Sequence, residues 1–99
     1  MTTPDERRRN LIWGLEALEE LLADATLPQH WRDESAELLG GYPSVAALED
    51  CSDPGLELLQ IQYAQVLSAS KDLFQRMRAS PACSEQRRYS LLVILRHFY

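Results

Sequence analysis

No apolar run in the sequence approaches the ~20 residues that a bilayer-spanning helix needs; the longest is Leu91-Leu92-Val93-Ile94-Leu95. The N-terminus is polar and lacks the hydrophobic stretch of a secretory signal, so the expectation is a cytoplasmic chain with no membrane partner. Cysteine occurs only at Cys51 and Cys83. These two have no Cys-x-x-Cys spacing, which argues against a disulfide framework or a redox pair and for small buried hydrophobes. Histidine is as scarce, at His30 and His97. Four scattered Cys and His side chains without a paired spacing make no zinc ligand set, so neither metal nor cofactor is expected. Gly40-Gly41 lacks the spacing and the lysine of a phosphate-binding loop.

Lysine occurs once, as Lys71, against nine arginines, a skew that points to GC-rich bacterial coding. Fifteen carboxylates set the net charge at -5, and such a field repels phosphate backbones while favouring basic or neutral partners. The run Arg7-Arg8-Arg9 could touch phosphate, but in the first turn of a helix it reads as a solvated face partly neutralised by Asp5 and Glu6. Nucleic acid is not an expected partner. What remains is ordinary globular composition, 45% hydrophobic and 25% charged over 99 residues, enough for one domain with one core.

Helical signals fill the chain. Thr3-Pro4-Asp5-Glu6 forms a capping box with proline at the first helical position. Leu11, Leu15, Leu18 and Leu22 then recur at helical spacing, with Ile12 and Leu21 widening the stripe, to about Ala23. Leu27-Pro28 restarts a helix that Thr26 can cap, with Trp31, Leu38 and Leu39 on its apolar side. It ends at Gly40-Gly41-Tyr42-Pro43, where a left-handed glycine cap and a proline stop are expected. Ser44 can cap a short turn through Leu48, and Asp53-Pro54-Gly55 opens the next helix. There Leu56, Leu59, Tyr63, Val66, Ser70, Leu73 and Met77, flanked by Leu67 and Phe74, predict one helix of about 35 Å. After Ala79-Ser80-Pro81, Ser84 or Ser80 can cap a last helix that is apolar nearly all round.

The expected fold is therefore all-α, a four- to five-helix bundle in a single domain. Residues 1–43 and 56–99 would form two helical hairpins joined by a connector at 44–55. Each half closes on a similar motif, Leu38-Leu39-Gly40-Gly41-Tyr42-Pro43 and Ile94-Leu95-Arg96-His97-Phe98-Tyr99; duplication would explain this, and so would chance.

The opening Thr2-Thr3-Pro4-Asp5-Glu6-Arg7 with Leu27-Pro28 and Leu38-Leu39-Gly40-Gly41-Tyr42-Pro43 resembles a family of short proteobacterial proteins of uncharacterised function. Those chains open on Pro-Asp-Glu-Arg and close on Leu-Arg-His-Tyr-Pro. The likeness covers roughly residues 2 to 44, departs where Gly40-Gly41 replaces Arg-His, and does not extend to the second half, although Leu95-Arg96-His97-Phe98 is similar to the closing motif. It implies a bacterial or phage-borne helical hairpin and carries over no catalytic residue.

No nucleophile sits beside a base in any recognisable pattern, so catalysis is not expected from His30, His97, Cys51 or Cys83. Carboxylates crowd the first half, at Glu16, Glu19, Glu20, Asp33, Glu34 and Glu37, while Arg76, Arg78, Arg87, Arg88 and Arg96 fall in the second. This reads either as solvated helix faces or as an acidic surface for a basic protein. Trp13 shares a face with Ala17 and Glu20, off the main stripe. The candidate partner-binding residues are Trp13, Glu16, Glu20 and Trp31. The surplus of apolar surface on the long third helix and the last helix predicts self-association as a homodimer through these two, with Leu91, Ile94, Leu95 and Phe98 at the seam, the alternative being a compact monomer with the last helix at its centre. The expected function is a non-enzymatic module that blocks or sequesters another bacterial protein, as an immunity protein, antitoxin, anti-activator or phage inhibitor would. A structural or regulatory homodimer is the alternative.

Overall fold

The hydroxyl of Thr3 accepts the Glu6 N–H at 3.2 Å, and the Glu6 carboxylate accepts the Thr3 N–H at 3.3 Å. This closes the capping box and starts α1 (Pro4–Ala23) where the sequence places it. Ser44, Ser52 and Ser84 repeat half of the device, each accepting a backbone N–H three residues on at 3.1 Å. They open α3 (Val45–Asp50), α4 (Asp53–Gln62) and α6 (Glu85–Leu95). Between these lie α2 (Gln29–Gly41) and α5 (Ala64–Ala79). The computed structural model describes residues 3–98, leaving Thr2 of the opening motif and Tyr99 of the closing one outside, and the described residues hold six helices and no strand. None of these helices is long and apolar enough to cross a membrane. The all-α expectation holds, with more breaks than anticipated.

Three local expectations are overturned. The single helix predicted over Leu56 to Met77 turns at Tyr63 (φ -103°, ψ 18°) into α4 and α5. Each piece has its own partner, α4 packing on α1 and α5 on α2 and α6, which a straight rod could not reach together. Gly40 and Gly41 are not a left-handed cap, since no described glycine has positive φ; α2 runs through both and ends at extended Tyr42. Pro43 supplies the stop, because a residue before proline is driven out of the helical region. Thr26 does not cap α2, whose N-cap is Pro28 and carries no side-chain bond; Thr26 instead donates to Asp24, the cap at the end of α1.

The fold closes around α1. α2 folds back along it, α3 and α4 cross its N-terminal part, and α5 and α6 pair with each other, α6 lying on α1 and α5 on α2. Leu11, Leu18, Leu21, Leu48, Leu56, Leu67, Leu73, Phe74, Met77 and Phe98 are fully buried. At the centre is Gly14, where an added Cβ would stand 2.4 Å from the Phe98 ring and 2.8 Å from the Tyr42 hydroxyl. That hydroxyl donates to the Leu11 carbonyl at 2.6 Å, and burial pushes the phenol well above its ordinary value, so it stays a donor. Phe98 meets Phe74 edge-on at 5.8 Å.

Four residues named as surface candidates, Trp31, Leu91, Ile94 and Phe98, belong to this interior. Trp31 is only 6% exposed, because α2 turns its apolar side onto the core. Leu91, Ile94 and Phe98, assigned to self-association, are covered by their own chain and Leu95 is half-buried. The apolar side chains left outside are Leu92 and Tyr89 on α6, Leu58 and Ile61 on α4, and Leu22.

The two glycine positions should respond oppositely to alanine. Gly14→Ala overpacks the centre and is expected to cost about 1–3 kcal/mol. Gly40→Ala, with nothing within 4 Å of the new methyl group, should stabilise by about 0.5–1 kcal/mol through helix propensity. Urea denaturation midpoints measure both, and a stabilising Gly14→Ala would refute the packing assigned to Phe98 and Tyr42.

Acid should weaken the fold through two carboxylates. Glu6 is held below its ordinary 4.5 by the Thr3 hydroxyl, then by the Thr3 N–H, with His97 and Arg9 adding to it. Asp24 is held below 3.8 by the hydroxyl and N–H of Thr26, with Arg87 and Arg32 adding. Because both folded-state values lie below the unfolded ones, their contribution is complete above pH 4.5 and is lost as pH falls through the depressed values. The stability difference between the native chain and Glu6→Gln, read from urea denaturation, should shrink as the pH falls below 4.5.

Candidate functional site

The arginines decide which surfaces remain open. Arg8 donates to the Leu48 and Cys51 carbonyls at 2.9 and 3.1 Å and pairs with Asp5 and Asp53, strapping α1 to α3 and to the start of α4. Arg7 donates to buried Gln60. Arg9 lies over the Trp13 ring at 4.7 Å. Within the run Arg7-Arg8-Arg9, half-buried Arg7 and Arg8 are thus internal ties, while Arg9 stays exposed, as a solvated face would have it. The charge polarisation along the chain resolves in the same way: Arg76 of α5 pairs with Glu34 of α2, and Arg87 of α6 with Asp24 at 2.7 Å. Arg88 donates to the carbonyls of Arg78, Ser80 and Cys83, tying off the α5–α6 turn.

Helices α1 and α6 run antiparallel and are pinned at both ends. At one end the buried Asn10 amide donates to the Val93 and Ile94 carbonyls at 3.0 and 2.9 Å. At the other stands the Arg87–Asp24 pair. Between the pins lies a cleft of about 340 Å³. Ala17, Leu21, Leu91 and Ile94 give it an aliphatic floor, deepened where Ala17 offers only a methyl group. Trp13, Glu16 and Glu20 form the α1 rim, and Tyr89, Ser90 and Val93 belong to the α6 side. Beyond Glu20 the depression continues past Ser84, Gln86 and Ser90.

Three of the four residues selected from the sequence, Trp13, Glu16 and Glu20, thus line one groove, while Trp31 is in the core. Tyr89, Ser90 and Val93 were missed. Nothing in a helix apolar nearly all round says which side of it faces out, and Tyr89, two-thirds exposed, is known as surface only once Leu91 and Ile94 are seen inside. Asn10 was missed as well, because its partners lie over eighty residues away.

The other candidate side chains lie apart from the groove. His30 is exposed on α2 against the edge of Trp31. His97 Nε2 stands 3.1 Å from the Glu6 carboxylate. Cys83 is buried, and Cys51 donates its thiol to the Leu48 carbonyl. Among the described residues no three His, Cys, Asp or Glu side chains converge where a metal ion could sit.

Asn10→Leu keeps approximate volume but withdraws the amide from two carbonyls in the last turn of α6. The expected loss is about 1–3 kcal/mol, since buried acceptors lose their donor. Amide exchange should rise selectively through residues 93–98; uniform exchange throughout the chain would contradict the pin.

Comparison of the chain with protein-family models, with curated proteins and with solved structures gives no match.

Proposed function

We propose that the chain is a non-enzymatic protein-binding module that blocks or sequesters another protein through the α1–α6 groove, in the manner of an immunity protein, antitoxin, anti-activator or phage inhibitor. The observation that carries this reading is the groove itself: an aliphatic floor between two pinned helices, with exposed Tyr89 beside it and Trp13 on its rim. Aromatic side chains at the edge of an apolar depression are the usual anchors of protein recognition. The titratable residues that line the groove are Glu16, Glu20, Arg87 and Tyr89. A small acidic chain suits a stoichiometric blocker, and the bacterial or phage origin implied by the resemblance of residues 2 to 44 fits that role.

The test uses the full chain as bait in a lysate of its source cells. Ser90→Trp places an indole in the groove from an exposed position, and Tyr89→Ala removes the aromatic beside it. Both should leave helicity and melting temperature unchanged. The captured protein should be lost with Ser90→Trp and bound about tenfold or more weakly with Tyr89→Ala. Capture of the same protein in equal yield by both variants would defeat the reading.

A further inference from the structure

Resting on the protein-binding reading above, we infer that the occupant of the α1–α6 groove is a basic amphipathic helix of another protein, three to four turns long. The walls exclude the extended alternative. A peptide strand gains affinity by pairing its backbone with a sheet edge, whereas both walls here are helices whose backbone groups bond internally. A third helix can instead set a ridge of side chains between the two and bury an apolar stripe on Ala17, Leu91 and Ile94. Its length follows from the pins. From Asn10 to Asp24 the α1 axis advances about 21 Å at 1.5 Å per residue, which an occupant of about 14 residues would match.

The sign of its charge follows from Glu16 and Glu20. They stand four residues apart on the same rim, an arrangement in which like charges destabilise the helix that bears them. Neither forms an ion pair among the described residues, while Asp24, Glu34 and Asp53 each hold an arginine from a distant element. A local rule broken without internal compensation marks a surface shaped for something else. Lys or Arg flanking the apolar stripe of an incoming helix supplies the missing countercharge. A second copy of the chain brings the same net charge of -5 and fits worse.

The probe is a fluorescein-labelled Leu/Lys helical peptide of about 14 residues, with its leucines in one stripe, read by fluorescence anisotropy. Two counter-probes accompany it: one with every Lys replaced by Glu, and one with the same composition scrambled to destroy the stripe. Both should bind at least tenfold more weakly. The exposed pair Glu16→Gln with Glu20→Gln should weaken the Leu/Lys peptide roughly tenfold and flatten its salt dependence. Ser90→Trp should abolish binding, and Leu58→Ser with Ile61→Ser on α4 should leave it intact. Equal binding of the counter-probes, indifference to the Gln pair, or loss on the α4 substitutions in place of Ser90→Trp would each overturn the inference. If the Gln pair changes nothing while Ser90→Trp still releases the captured cellular protein, the partner's chemistry is wrong and the binding groove stands. If Ser90→Trp releases nothing, both fail.

Discussion

At Gly14 two aromatic side chains from distant parts of the sequence reach the backbone of α1, Tyr42 from the end of α2 and Phe98 from beyond α6. Neither could take its place if the helix carried a Cβ there. Helix propensity favours almost any other residue at mid-helix, by about 1 kcal/mol in the case of alanine, so the position is held by packing against the local preference. Tyr42 spends its hydroxyl on the Leu11 carbonyl, which fixes where α2 ends. Phe98 carries the chain beyond α6 into the core and meets Phe74 of α5. The relative placement of α1, α2, α5 and α6 thus depends on a single close approach.

Around that centre, charge does structural work that composition conceals. A chain of net charge -5 with one lysine looks like a solvated acidic surface, yet its arginines reach inward to carbonyls and across elements to carboxylates. Arg8 and Arg88 each satisfy several backbone oxygens where helices end, using the guanidinium fork as a multi-point staple that lysine could not replace. These ties consume Asp24, Glu34 and Asp53, while Glu16 and Glu20 border the groove and Glu19, Glu37, Glu49 and Asp50 lie on exposed helix faces.

The parts of this fold legible in the sequence are those decided within four residues. The Thr3 capping box, the Ser44 and Ser84 caps and the Pro43 stop are interactions between near neighbours, and they occur where the letters place them. The burial of Leu11, Leu18, Leu67, Leu73 and Met77 followed from spacing. What spacing could not give is the turn at Tyr63, since the apolar rhythm continues through it and only the positions of α1 and α2 require it. Trp31 was ambiguous for a related reason: a lone large aromatic serves equally as anchor or as filler until its helix has a neighbour. Trp13, Glu16 and Glu20 could be selected because they lie off the main stripe of α1. The opposite wall could not, because it is chosen by the inward turn of Leu91 and Ile94.

The two walls of the groove come from opposite ends of the chain, α1 near its start and α6 near its finish. The recess therefore does not exist in either hairpin alone; it appears only when the last helix has docked on the first. Any ligand that fits between them recognises the completed fold and ignores every partly folded form. By mass action it also acts as a clasp, and at a hundred times its dissociation constant it would add about 2.7 kcal/mol to the closed state. With the recess filled, the chain would unfold more slowly and resist heat better than with it empty.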